Sequence, residues 1–144
     1  MGMFNTYFIA PDDAAAAAVV DDGPAGVRSP VVEAVGATVE AGTLLALLSG
    51  ATYESITDDP SWSRLVSSPD HDSAWVIAMP DTFTEALATS SEDRLAEVAT
   101  PWSETEEFWG NGDATELLSM LQEWAALART ARDRGEQMYC WAAL

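Results

Sequence analysis

Two stretches at opposite ends of the chain limit its fold most. Met3–Ile9 (MFNTYFI) and Gln137–Ala143 (QMYCWAA) are rich in aromatics and alternate in polarity, the period of a strand with one face against a core. A third segment, Ala74–Met79 (AWVIAM), reads as a buried strand closed by Pro80. Val31–Val35 reads as a shorter one. Helical segments lie between the strands without strict alternation. The expected fold class is therefore α+β: a small sheet including the N- and C-terminal strands, packed against several helices, in one globular domain over residues 1–144.

The helical punctuation is explicit. Pro11 suits the first turn of a helix over AAAAAVV (14–20), with Asp12 and Asp13 set against its positive end. DDGPAG (21–26) is a loop. Thr38 opens, and Gly50 stops, an apolar helix containing LLALLSG. Thr52 caps one further turn, YESI, which DDP at 58–60 ends. SSPDHDS (67–73) has turn chemistry. Helices follow at 81–89 and 91–99, divided by TSS, and Thr100-Pro101 should break the second. Ser103 and Glu106 have capping-box spacing and predict a short helix stopped by Gly110. Asp113 and Glu116 repeat the spacing and start a longer helix to about residue 134. Leu117, Leu121, Trp124, Ala128 and Ala131 form one apolar face of that helix, and Gly135 ends it. Arg129, Arg132 and Arg134 fall in its last turns, where cations offset the negative helix end, and Arg129 is four residues from Asp133.

Composition decides among broad classes. The chain has 144 residues, 48% of them hydrophobic, and six tryptophans; that is enough to bury a core and argues against disorder. No apolar run approaches the roughly 18 residues that a membrane span needs. A basic leader is not visible, and the single cysteine, Cys140, cannot form an internal disulfide, so a cytoplasmic protein is expected. Charge is the dominant feature. Asp and Glu number 24 against 6 basic residues, all arginine, for a net charge of −18. Such a surface repels phosphate backbones and attracts basic partners, and it also keeps a protein soluble.

With these pieces placed, the chain resembles the YfbM-like group of bacterial proteins of unknown function. The resemblance rests on the opening MGM followed by Tyr7-Phe8, the LLSG at Leu47–Gly50, and the closing long helix plus strand. It implies an α+β domain and lends no catalytic residue, ligand or partner.

Chemistry is sparse. One Cys and one His cannot build a Cys/His zinc cage, and Asp70, His71 and Asp72 share a single turn. The chain lacks a Gly-x-Ser-x-Gly elbow, a Gly-x-Gly-x-x-Gly loop and any lysine for a Walker-type phosphate site or a Schiff base. Cys140 lies mid-strand between two aromatics, a placement for a structural thiol rather than a reactive one. No catalytic residue, metal or cofactor is assigned. Trp62, Trp75, Trp124 and Trp141 are expected in the core. Trp102 and Trp109, rimmed by Glu104, Glu106 and Glu107, form the candidate partner-binding patch if both are exposed. The leading expectation is a non-enzymatic acidic interaction module that binds a basic protein partner, as an immunity protein binds a basic toxin, without direct nucleic-acid or membrane binding. The alternative is a hydrolase with a carboxylate pair in a tryptophan-lined cleft.

Overall fold

The computed structural model describes residues 4–24, 30–105 and 113–144. Five strands, β1 (Phe4–Ala10), β2 (Val32–Glu33), β3 (Arg64–Leu65), β4 (Ala74–Ala78) and β5 (Gln137–Ala143), form one antiparallel sheet in the order β2-β1-β5-β4-β3. The two terminal strands pair along their whole length, from Phe4 opposite Ala143 to Ala10 opposite Gln137. The fold is α+β, as the segment order predicts.

Period-two alternation divides the sheet into two faces. Tyr7, Ile9, Met138 and Cys140 point into the larger core, which is roofed by α2 (Val39–Ser49), α3 (Tyr53–Thr57), α4 (Asp81–Thr89), α5 (Glu92–Ser103) and α6 (Ala114–Arg134). Phe8, Ala10, Val76, Ala78 and Tyr139 point the other way, under α1 (Asp13–Ala17) and the turn that follows it. Trp124 sits at the centre of the larger core, 4.4 Å from the Tyr7 ring and 5.1 Å from Phe83 between ring centroids.

The caps follow the sequence closely. Asp113 accepts from the amides of Thr115 and Glu116 at the start of α6, Thr52 from Ser55 at α3, and Ser91 from Arg94 at α5. Gly50 and Gly135 end α2 and α6 with φ of 77° and 66°, left-handed values that glycine adopts without penalty. Thr38 precedes α2 but makes no side-chain cap; its hydroxyl pairs with Ser63 Oγ at 2.8 Å.

Three expectations are corrected. The helix expected over 14–20 ends at Ala17, and its cap is Asp12, whose side chain accepts from the Ala15 amide. Beyond it the chain turns through Gly23 (φ 79°), over which the Trp141 ring lies so closely that a Cβ would meet it at 3.1 Å. The Trp141 indole N–H donates to Val20 O at 2.8 Å and fixes this turn.

Thr100-Pro101 does not break α5, which continues to Ser103. A proline removes one donor and crowds the preceding turn, but the last turn gains more by staying helical. It delivers Trp102 into the core with its indole N–H on Glu40 O at 3.2 Å. Ser103 is consequently the end of a helix rather than an N-cap. It is 5% exposed and donates to Thr100 O. The short helix expected after it falls largely on residues 106–112, outside those described. Finally, β3 carries no strand signal at two residues; it exists because β4 offers an edge, and Val66 N–H extends the pairing to Val76 O.

Candidate functional site: an acid-rimmed groove at the start of α4

The aromatic patch expected around Trp102 does not form at that residue. Trp102 is fully buried and bonded to α2, so it presents nothing to a partner. Glu104 is exposed; Glu106, Glu107 and Trp109 lie outside the described residues. Of the tryptophans expected inside, Trp62 and Trp124 are buried, while Trp75 and Trp141 are half-buried.

The groups with nucleophilic or acid–base potential are occupied. His71 donates from Nε2 to Asp21 Oδ1 at 2.9 Å, and its Nδ1 accepts from the amides of Ser73 (3.2 Å) and Ala74 (3.1 Å). An imidazole with an acceptor nitrogen already filled by two amides has no lone pair left for a substrate proton. It pins the 67–73 turn to the 21–24 turn. Among the described residues no cluster of His, Cys, Asp and Glu could hold a metal.

Cys140 is buried in the larger core, and desolvation pushes its thiol up to about 12. The native protein should therefore resist a thiol reagent at pH 8, and Cys140 should react only after denaturation. Stoichiometric labelling of the folded chain within minutes would contradict its placement.

Four of the five described arginines are also engaged. Arg64 clamps Asp13 at 2.8 and 3.2 Å, and Tyr139 O–H donates to the same carboxylate at 2.8 Å. Arg64 and then Tyr139 hold the Asp13 carboxyl below the usual range, while burial and Asp13 raise the Tyr139 phenol. Arg94 donates to Leu47 O and Leu48 O near the end of α2. Arg129 donates to Ala88 O (3.1 Å) and Ser90 O (2.8 Å) at the end of α4. It thus satisfies a neighbouring helix's carbonyls, not those of α6, whose last turn carries Arg132 and Arg134.

Arg129→Ala should destabilise the fold by about 1.5–3 kcal/mol, because charged hydrogen bonds to half-buried carbonyls are lost. Arg129→Lys should recover little, lacking the planar fork. Denaturant unfolding measures both; a change within about 0.5 kcal/mol would mean that water replaces the guanidinium at no cost.

The carboxylates remain. Every described Asp and Glu is exposed except Glu40 and Glu136, which are half-buried. The surface of the described residues is therefore predominantly acidic, and one place on it also offers an apolar foothold.

That place is a groove between α2, α3 and the first turn of α4. It starts from Gly42, where a Cβ would lie 3.0 Å from Tyr53 Cε2 and 3.4 Å from Trp62 Cζ2. A glycine inside a helix costs about 1 kcal/mol relative to alanine, and here it lets α3 and Trp62 approach α2. Trp62 is anchored by its indole N–H on Thr38 O at 3.1 Å. The chain then turns at Asp59, whose Oδ1 accepts from Ser61 N (2.9 Å) and Ser61 Oγ (2.8 Å). On the opposite wall Pro80 closes β4 and starts α4.

The resulting cavity of about 280 Å³ has a floor of Leu45, Ile56, Trp62 and Pro80, with Asp59 at its rim. Ser61, Pro80 and Thr82 are shared with a second hollow of about 320 Å³, which Arg64 and Asp81 enter. From Asp81 and Thr82 a shallower trough of about 500 Å³ follows α4 past Glu85 to Thr89. The three hollows meet at the start of α4.

The groove contains a tryptophan and carboxylates, the ingredients of the hydrolase alternative. A general acid needs a carboxyl held protonated at neutral pH by an apolar setting or a like charge. Asp59 is displaced in the opposite direction, lowered by the Ser61 amide and then by its hydroxyl.

The chain matches no protein-family model, no curated protein and no solved structure. The resemblance to the YfbM-like group therefore rests on its sequence motifs.

Proposed function

We propose that this protein is a non-enzymatic acidic interaction module that binds a basic protein partner. One observation carries the reading: the described carboxylates other than Glu40 and Glu136 are exposed, whereas Arg64, Arg94, Arg129 and Arg132 contact the chain's own carboxylates or carbonyls. The negative potential is left uncancelled at the surface, and that field steers a cationic partner and rejects polyanions such as nucleic acid. The engaged imidazole of His71 and the buried thiol of Cys140 support the same reading, since neither is available to a substrate. Inhibitory capture of a basic toxin, in the manner of an immunity protein, is one use of such a surface. No described helix is long and apolar enough to cross a membrane.

The test is titration of the protein with an arginine-rich peptide and with its glutamine-substituted counterpart over a range of salt. The charged peptide alone should bind, and its affinity should decline as salt rises. Equal binding of both peptides, or binding that salt leaves unchanged, would end the proposal.

A further inference from the structure

We infer that the groove at the start of α4 is the anchor for a basic amphipathic peptide segment of the partner. One bulky apolar side chain enters the floor of Leu45, Ile56, Trp62 and Pro80, and arginines or lysines on either side of it meet Asp59, Asp81 and Glu85. This rests on the acidic-module reading and adds to it a place and a recognition chemistry.

Three features select this occupant. At about 280 Å³ the apolar cavity falls just below the roughly 300–1,000 Å³ of sites that enclose a drug-sized molecule. That size suits a single large side chain presented by a larger body. Its lining is mostly apolar, and carboxylates stand only at the rim and along the continuing troughs. An apolar centre kept dry inside a polar rim is the arrangement in which a few anchors dominate binding. The cations beside the rim are already engaged: Arg64 is held by both oxygens of Asp13, and Arg132 lies 3.9 Å from Glu85. A neutral apolar segment would leave Asp59 and Asp81 desolvated without a cation, and a second copy of this chain would bring like charge against them. A segment that is apolar on one side and cationic on its flanks satisfies both parts.

The test uses the full chain labelled with 15N and a short synthetic peptide of arginine and leucine patterned as an amphipathic helix. Controls are an all-arginine peptide of equal length and a version with glutamine for arginine. The amphipathic basic peptide should shift the Trp62 indole resonance and the amides of residues 55–59, Ser61 and 81–85 saturably. It should bind about tenfold more tightly than either control, since neither control supplies both the apolar anchor and the charges.

Two sets of variants locate the site. Asp59→Asn, Asp81→Asn and Glu85→Gln together should weaken binding by about tenfold, whereas Glu92→Gln, Asp93→Asn and Glu97→Gln on α5, equal in charge change, should alter it by less than about threefold. Thr82→Trp, at an exposed position over the floor, should block the anchor while the thermal melt stays in place. If binding is basic-specific and salt-sensitive but indifferent to the groove variants, the groove assignment fails and the acidic-module reading survives. Equal binding of the glutamine peptide would also overturn the assignment, as would dimerisation of the chain through these residues. If no basic peptide binds at low salt, both fail.

Discussion

Trp102→Ala should destabilise the protein by about 3–5 kcal/mol, the cost of emptying a large buried aromatic site. Its ring is wholly enclosed and its indole N–H holds Glu40 O at the start of α2, so the variant loses packing and a bond between α5 and α2 together. Against a total stability of about 5–15 kcal/mol such a loss is severe. Trp102→Phe should keep most of the packing and cost less, since it removes the donor and only part of the ring. Glu104→Gln, two residues on and exposed, should stay within about 0.5 kcal/mol. Thermal and denaturant unfolding of the three variants separates the roles. A stable Trp102→Ala protein would return this residue to the surface and to partner contact.

The same residue shows where sequence reasoning reached its limit. Strands, caps and helix stops are local, and the residues that make them are next to one another: Asp113 with Thr115 and Glu116, Thr52 with Ser55, Gly50 and Gly135 at left-handed ends. These were legible, and with them the α+β class. Whether α5 survives Pro101 depends on what Trp102 gains by reaching α2, 62 residues away in sequence. No local rule contains that gain. Arg129 is a similar case, because its partners are carbonyls of Ala88 and Ser90 on another helix. Dipole compensation within α6 accounts for Arg134 but not for Arg129, nor for the approach of Arg132 to Glu85 on α4.

The groove was hidden for a related reason. Trp62 read as a core residue and Leu45 as part of an apolar helix, and both are buried, as is Ile56; the site arises from the narrow opening left between them and Pro80. Its polar elements were individually visible as the DDP turn at 58–60 and the Pro80-Asp81 start of a helix. What joins them is the close approach at Gly42, which could have been noticed only as a glycine inside an otherwise apolar helical run.

The largest functional effect should be kinetic. A net charge of −18, carried by carboxylates that are exposed at nearly every described position, concentrates a cationic partner at the surface before any contact is made. Steering of this kind raises association rates by about ten- to a thousandfold, and salt removes it as the screening length shrinks from about 10 Å at 0.1 M to about 3 Å at 1 M. Dissociation should change far less, because the apolar anchor at Trp62 is indifferent to screening. The asymmetry is diagnostic: a surface whose acids served solubility alone would show no association step for salt to slow.

Stopped-flow association of the protein with the amphipathic arginine–leucine peptide, followed by tryptophan fluorescence across ionic strength, therefore tests the central claim most directly. The account predicts an association rate that falls by at least about tenfold between dilute buffer and 1 M salt, with the dissociation rate nearly constant. An association rate flat across that range would contradict it.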